Sequence, residues 1–260
     1  MVFHIITLFP HAFDSYLGES ILKRAIEDKK IKVKFYNPRD FADNKWKRID
    51  RAPYGGGPGM VIQAEPVIRA IEKAYSLILA NKRIGNSKKL QTTNYKLSPY
   101  DGSLAGRQTK IIWLSPSGKQ FTNDYAKKAV GKCSDIIIIC GRYEGIDARV
   151  KKAINTTPIH ELGRMTRIRV EEISVGPFVL TGGELPAMIM IDVISRQVEG
   201  VLGDFNSLEE SRVSSADVYT RPEIFKYKGK NFRVPKILLS GHRAKIDEWK
   251  QSNIKNIPKS

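Results

Sequence analysis

Two glycine-rich segments carry the residues best suited to chemistry, Cys140–Asp147 (CGRYEGID) and Ser174–Met188 (SVGPFVLTGGELPAM). Arg142, Glu144 and Glu184 place charged groups among these glycines. Because glycine has no Cβ, a ligand can lie directly against the main chain and hydrogen-bond to its N–H and C=O groups. One such segment alone is more often a simple tight turn, but the two together predict one shared pocket.

The elements around these segments indicate how they are positioned. Apolar β-branched runs lead into both, at Asp135–Ile139 and Ile168–Val175, and helix-forming sequence follows each. With strand, glycine turn and helix in this order, a parallel sheet presents its carboxyl edge to a small ligand. The same alternation over Val2–Val198 predicts an α/β fold, a mostly parallel sheet flanked by helices. Glu184–Val198 is apolar almost all round, which predicts burial against the sheet or a partner subunit.

Periodicity describes the remaining part of the first two hundred residues. Apolar residues at helical spacing predict helices over Phe13–Lys30 and Ala64–Ala80. Polar stretches without periodicity, at Asn81–Gln108 and Asn155–Arg169, are typical of inserted loops. The glycines of Tyr54–Met60 (YGGGPGM) lack the preceding strand of a dinucleotide-binding fingerprint, so we interpret them as a mobile or closely packed loop.

Composition indicates the domain organisation and the class of partner. A stretch rich in serine and charge predicts a flexible linker at 204–216, between a large domain at 1–203 and a small, basic, mainly helical domain at 217–260. The 44 Lys+Arg exceed the 27 Asp+Glu, for a net charge of +17. Such an excess favours nucleic acid or an acidic membrane surface as partner, unless it reflects a lysine-rich proteome.

Cysteine and hydropathy patterns exclude other classes. Cys133 and Cys140 have no metal-ligand spacing with a histidine, and the four histidines are scattered, so no metal site is predicted. Two cysteines without a disulfide framework fit a reduced, cytoplasmic protein. No apolar run approaches ~18 residues, and the start MVFHIITLFP has no basic region, so neither a membrane span nor a signal peptide is predicted.

Several further motifs occur in a fixed order with the two glycine segments and YGGGPGM. They are Ile6–Pro10 (ITLFP), Pro38–Ala42 (PRDFA), Leu114–Gly118 (LSPSG), Gly200–Gly203 (GVLG), Tyr219–Glu223 (YTRPE) and Leu238–Trp249 (LLSGHRAKIDEW). Together they resemble the bacterial tRNA (guanine-N1)-methyltransferase family. The resemblance spans nearly the whole chain apart from the two inserted stretches.

The resemblance implies an activity and an architecture. It implies methyl transfer from S-adenosyl-L-methionine to N1 of guanine 37 of tRNA, beside the anticodon, with S-adenosyl-L-homocysteine as product. It also implies a sheet knotted as a trefoil, of the SPOUT class, and a homodimer whose active site is shared across the interface. A requirement for Mg²⁺ is implied by the resemblance alone.

The resemblance further implies which residues contact the cofactor. They are Leu114, Ser115, Pro116, Gly141, Tyr143, Gly145, Val175, Gly176, Pro177, Phe178, Val179, Leu180, Gly182, Gly183 and Pro186. Two departures from the family pattern occur: Trp113 replaces a tyrosine, and Pro177-Phe178 replace an acidic residue and a tyrosine. Pro177 lacks an N–H, so a hydrogen bond from that position is lost.

Removing the proton from guanine N1 requires a general base within hydrogen-bond reach. The resemblance places Glu210, on the linker, where the family has an aspartate that acts across the dimer. Glu209 and Asp204 are alternatives, and so is a purely solubilising role for the acidic pair.

Two more residues have both a catalytic and a structural interpretation. Arg196 contacts the target guanine or its phosphate if the resemblance holds, but at four residues from Asp192 it could equally form an ion pair within the helix. Glu144 could accept hydrogen bonds from the guanine edge, or it could cap the helix that follows Gly145. Asp50, which precedes the glycine loop at 54–60, either contacts the RNA near the target guanine or is a loop residue without a role.

A basic surface is expected to hold the tRNA phosphates without reading sequence. Its candidate residues are Arg39, Lys45, Lys47, Arg48, Arg221, Arg233, Lys236 and Arg243. Two other functions stay open: a knotted methyltransferase acting on a ribose 2′-O or another base, and an RNA-binding homologue with impaired catalysis. A Rossmann-type dehydrogenase is disfavoured because no G-x-G-x-x-G follows a strand.

Overall fold

The computed structural model describes residues 1–89, 108–156, 159–161, 164–166, 169–202 and 217–252. The chain divides into two compact units, Met1–Val201 and Leu202–Ser260. None of the helices within the described ranges is long and apolar enough to cross a membrane.

The first unit is built on a sheet of five parallel strands. They are β1 (Val2–Ile6), β2 (Lys32–Tyr36), β5 (Gln108–Gln120), β6 (Cys133–Ile139) and β9 (Val170–Ser174), in the spatial order β2-β1-β6-β5-β9. Two short strands, β3 (Asp50–Arg51) and β4 (Val61–Ile62), pair with each other separately. The prediction of an α/β fold with a central parallel sheet and flanking helices is therefore confirmed.

The central strand β6 explains why the sheet is covered on both faces. All seven of its residues are buried. Successive side chains of a strand point to opposite faces, so Ile136 and Ile138 enter one hydrophobic cluster, while Ile137 and Ile139 enter the other. A strand that is buried at every position requires helices on both sides of the sheet.

Helices supply the two layers. They are α1 (Asp14–Leu17), α2 (Ser20–Glu27), α3 (Ala64–Lys89), α4 (Asn123–Lys132), α5 (Arg149–Thr156) and α6 (Glu184–Arg196). Residues of α1, α2, α4 and α6 join one cluster, and residues of α3 and α5 join the other. The predicted burial of the apolar helix at 184–198 is confirmed, since Ala187, Met190, Ile191 and Ile194 have no exposed surface.

Three predicted elements differ from the structure. The helix expected over Phe13–Lys30 is divided into α1 and α2, because Gly18 ends the first and Glu19 is extended (φ −125°, ψ 151°). The loop expected from Asn81 begins instead as a continuation of α3 to Lys89. The second expected loop contains a small antiparallel pair, β7 (Ile159–Glu161) with β8 (Arg164–Thr166). Both expected loops were inferred from polar composition and weak periodicity, and neither signal indicates that the backbone forms helical or strand hydrogen bonds there.

The second unit contains a hairpin and two helices. Its elements are β10 (Ile224–Tyr227), β11 (Lys230–Arg233), α7 (Lys236–Leu239) and α8 (Arg243–Ser252). The prediction of helices for this segment omitted the hairpin. Its turn, Lys228-Gly229, has positive φ at both residues (46° and 76°), the geometry that matches the twist of paired strands. The linker predicted at 204–216 lies outside the described residues.

Candidate active site

The first glycine segment forms a tight turn directly after β6. Cys140 N–H donates to Ile6 C=O (2.9 Å), which extends the ladder one residue beyond the strand. Tyr143 (φ 60°) and Gly145 (φ 115°) then take left-handed conformations, and Gly145 N–H closes the turn on Arg142 C=O (2.9 Å). Glycine is suited to such a φ because other residues are strained there.

The second glycine segment packs directly on the first. Gly183 N–H donates to Gly141 C=O (2.9 Å). A Cβ on Gly183 would lie only 2.6 Å from Cys140 Cα, so no other residue fits this position without moving the main chain. The chain that leaves β9 therefore passes the end of β5 and returns to the end of β6. Two segments some forty residues apart thus become two walls of one cavity.

A buried carboxylate ties these two walls together. Glu184, at the start of α6, accepts from Thr7 Oγ1 (2.7 Å) and from Arg142 Nε (2.8 Å). Its side chain is 4% exposed and that of Arg142 is 26% exposed. The Arg142 guanidinium also lies 4.6 Å from the centroid of the Phe9 ring. A buried charge requires such partners, and here the two partners of Glu184 come from separate parts of the chain.

The third wall comes from an irregularity in β5. The strand pairs with Ile173 of β9 twice, through Leu114 and again through Lys119, so Ser115–Gly118 bulge out between them. A Cβ on Gly118 would meet Ile173 N at 2.5 Å, which explains the glycine that ends the LSPSG motif. Such bulges re-aim a strand locally, and here the bulge turns Ser115 and Pro116 toward the cavity.

These three segments enclose a cavity of about 380 Å³. All but one of the fifteen predicted cofactor-contact residues line it, and the exception is Pro177. The residues that line it without having been assigned to the cofactor are Trp113, Arg142, Ile146, Ala148, Lys151, Ile173, Ser174 and Thr181, together with Glu144. That the assigned residues contact a cofactor stays a prediction.

Lys151 is the residue of the cavity that sequence reasoning missed most completely. Its Nζ pairs with Glu172 Oε1 (2.6 Å) and lies 5.2 Å from the centroid of the Trp113 ring. Lys151 belongs to α5, and no local pattern relates that helix to β9. The tryptophan that replaces the family's tyrosine thus packs against a cation as well as lining the cavity.

Glu144 lies at this cavity and contacts the glycine loop at 54–60. Its N–H donates to Met60 C=O (3.1 Å), and a Cβ on Gly59 would lie 2.7 Å from Glu144 Oε1. The loop is therefore closely packed at this end, one of the two alternatives left open for it. The capping interpretation of Glu144 is wrong, because Asp147 Oδ1 accepts the Arg149 N–H (2.9 Å) at the start of α5.

The other catalytic candidates are not among the cavity's lining residues. Arg196 is half-buried near the end of α6, and the alternative interpretation, an ion pair with Asp192, does not form between these two described residues. Asp192 instead accepts a hydrogen bond from the Tyr16 hydroxyl. Glu210, Glu209 and Asp204 lie outside the described residues.

Two ionisable groups beside the cavity have perturbed pKa values. Complete burial, with the Glu184 carboxylate nearby, raises the pKa of the Cys140 thiol well above its usual value, so Cys140 is not suited to act as a nucleophile. Hydrogen bonds from Arg149 lower the pKa of Asp147, so this carboxylate is charged at neutral pH. The ionisable side chains that line the cavity itself are Arg142, Tyr143, Glu144 and Lys151.

A parallel sheet whose carboxyl edge holds a glycine-lined cavity defines an α/β enzyme that binds a small ligand against its main chain. Comparison with known proteins gives the family. Residues 1–257 match the family model described as "tRNA (Guanine-1)-methyltransferase TrmD". The chain belongs to this methyltransferase family.

Individual relatives agree with the family model. A tRNA (guanine-N(1)-)-methyltransferase of Clostridioides difficile is 40% identical over 100% of this chain and 94% of its own length. Proteins of the same description from Caldanaerobacter subterraneus and Buchnera aphidicola are 40% and 36% identical, over 96% and 95% of this chain and 86% and 87% of their own lengths.

Proposed function

We propose that this protein transfers a methyl group from S-adenosyl-L-methionine to N1 of guanine 37 in tRNA. The observation that carries the proposal is the cavity of bare main chain in a chain whose residues 1–257 match this family. The cavity is large enough for a small-molecule ligand. Its glycines leave N–H and C=O groups accessible to the edge of an adenine.

The bound cofactor would supply an electrophilic methyl group on a sulfonium and leave as S-adenosyl-L-homocysteine. The protein's own contribution is then mainly positioning, since aligned reactants need little covalent help. Gly141, Gly182 and Gly183 present the main chain, and Leu180 and Pro186 supply apolar wall. The Arg142–Glu184 pair fixes the two turns relative to each other. Glu144 lines the cavity, and we assign to it the hydrogen bonds from a guanine edge.

Proton removal from N1 is assigned to Glu210, with Arg196 offsetting the charge that develops on the base. A carboxylate is a suitable general base when it reaches the proton directly. We expect Glu210→Gln to abolish turnover while S-adenosyl-L-methionine binding, measured by calorimetry, stays unchanged. Glu209→Gln is the matched control and should keep activity. Full activity in Glu210→Gln would assign the base to Glu209 or Asp204.

We also propose the trefoil knot and the homodimer. The knot is supported by the return of the chain from β9, past β5, to the end of β6. The homodimer is supported by apolar side chains of α6 and its preceding turn that stay exposed in the single chain, among them Leu185 (52%) and Val179 (82%). Sedimentation analysis should give twice the chain mass.

The net charge of +17 supports tRNA as the polyanionic partner, and a tRNA substrate places the reaction in the cytoplasm. No step is assigned to Mg²⁺. Among the residues within the described ranges, no three His, Cys, Asp or Glu side chains are grouped so that they could hold a metal ion.

The decisive experiment compares two tRNA transcripts that differ only at position 37. With labelled S-adenosyl-L-methionine, the transcript with guanine should yield 1-methylguanosine, and the transcript with adenine should yield no product. A ribose methyl in the digest would instead support the rival knotted methyltransferase. Binding of tRNA without binding of S-adenosyl-L-methionine would support the impaired RNA-binding homologue.

A further inference from the structure

The hairpin of the second unit carries three aromatic rings on one face. The register of β10 and β11 pairs Phe225 with Phe232 and Tyr227 with Lys230, so these four side chains share a face. The Phe225 and Tyr227 rings are nearly parallel, with centroids 6.3 Å apart and an interplanar angle of 10°. The Phe232 centroid lies 6.4 Å from that of Phe225.

All three rings are more than half exposed, although aromatic side chains are usually buried in a core. Phe225, Tyr227 and Phe232 are 57%, 54% and 53% exposed. Single exposed apolar side chains are common, but a contiguous group of rings usually marks a binding surface. A two-stranded hairpin is also only marginally stable by itself, so keeping its rings outside a core costs stability.

The charged residues around the rings indicate what kind of ligand this surface binds. The ten residues from Ile224 to Arg233 (IFKYKGKNFR) include three lysines and one arginine and no acidic residue. Lys228 Nζ lies 5.4 Å from the Tyr227 ring centroid. Flat rings combined with cations are the arrangement with which proteins hold nucleic acid strands, the rings stacking on bases and the cations neutralising phosphates.

We infer that this face is a stacking surface for unpaired bases of the RNA substrate. Bases within a duplex already stack on their neighbours, so only loop or end nucleotides are free to stack on the protein. The identity of that RNA as tRNA rests on the proposed function. The hairpin thus positions the substrate, and it does so without reading sequence, because every base has a π-face.

The test uses the full-length protein and a complete tRNA transcript. Phe225→Leu combined with Phe232→Leu keeps apolar volume but removes two rings, and should weaken tRNA binding roughly ten- to a hundredfold. Tyr227→Phe keeps its ring and should retain the affinity. Asn231→Ser, on the opposite face, is the matched control. S-adenosyl-L-methionine binding should be the same in all four proteins, and circular dichroism should show that all four are equally folded.

Crosslinking locates the contact directly. A tRNA with 5-iodouridine at unpaired positions, irradiated on the wild-type protein, should crosslink to the peptide containing Phe225 and Tyr227. Unchanged tRNA affinity in the leucine variant, or a change only in its oligomeric state, would overturn the inference. The proposed function has a separate outcome: stacking without formation of 1-methylguanosine would leave the inference standing and refute the reaction.

Discussion

The cavity at the sheet edge and the hairpin of the second unit are surfaces of contrasting chemistry. The cavity is lined by main chain and packed so tightly that a Cβ on Gly183 has no room. The hairpin exposes rings and cations, and its Gly229 has no atom within 4 Å of an added Cβ. The first surface suits a small ligand of fixed shape, and the second suits a long, flexible polyanion. Binding of the two ligands should therefore be separable by mutation.

The largest expected effect comes from removing the arginine that links the cavity walls. Arg142→Ala leaves the Glu184 carboxylate buried, with the neutral Thr7 hydroxyl as its donor. The free energy of unfolding should fall by about 3 kcal/mol, which is the low end for breaking a buried ion pair, because Arg142 is partly exposed. Urea denaturation measures this loss. Cofactor affinity should fall with it, while the salt dependence of tRNA binding should not change.

Two variants control for the Arg142 result. Arg149→Ala removes an exposed ion pair, and should change stability little. Adding Glu184→Gln to Arg142→Ala removes the buried charge and should recover part of the stability. If the double variant is as unstable as the single one, the cost arises from packing and the electrostatic explanation is refuted.

The sequence was informative about the cavity because its signals are local. A buried strand followed by glycines predicts a turn at a sheet edge. The family resemblance, rather than the local pattern, implied the fifteen cofactor residues, and all of them except Pro177 line the cavity. The links between the walls could not be predicted, since Thr7 and Glu184 are 177 residues apart. The hairpin was missed because Lys228-Gly229 is a weaker turn signal than Asn-Gly or Asp-Gly, although alternating aromatic residues precede it.

The next effect should be confined to the cavity. Gly183→Ala places a methyl group 2.6 Å from Cys140 Cα, so the two turns must separate. Overpacking of this kind typically costs about 1–3 kcal/mol of stability, and separation of the two turns should also lower cofactor affinity. Calorimetry with S-adenosyl-L-methionine measures it, and tRNA affinity should be unchanged.

Gly131→Ala is the matched control, since its added Cβ has nothing within 4 Å and it lies within α4. This variant should keep cofactor affinity and gain about 0.5–1 kcal/mol of stability, the usual benefit of alanine over glycine in a helix. Equal loss of cofactor affinity in both variants would show that the turns are not held by close packing at Gly183.

A smaller effect should separate the two surfaces by their response to salt. Phosphate contacts release counterions, so log affinity for tRNA should fall linearly with log salt concentration. Lys230→Gln, on the face that carries the rings, should reduce that slope by about 0.7–0.9, the contribution of one phosphate contact. Cofactor affinity should be nearly independent of salt in both proteins. An unchanged slope would remove Lys230, and with it the aromatic face of the hairpin, from the RNA-binding surface.

The smallest effect tests a region of the first unit that belongs to neither surface. Glu171 on β9 accepts hydrogen bonds from Lys110 Nζ (2.8 Å) and Tyr125 Oη (2.6 Å). Burial opposes its ionisation, but these partners outweigh burial and lower its pKa below the ordinary 4.5. A depressed carboxylate pKa means that the ionised form is favoured by folding. Its stabilising contribution is therefore present above pH 4.5 and is lost as pH falls through the lower folded value.

Glu171→Gln should consequently be less stable than the wild type at pH 7, and the difference should shrink below pH 4.5. Urea denaturation across this pH range measures it, with the exposed Glu199→Gln as control. Cofactor and tRNA affinities at neutral pH should both be unchanged, because Glu171 faces α4 rather than the cavity. A fall in cofactor affinity would mean that β9 transmits the change from Glu171 to the cavity at the sheet edge. The shape of the cavity would then depend on more than its own turns.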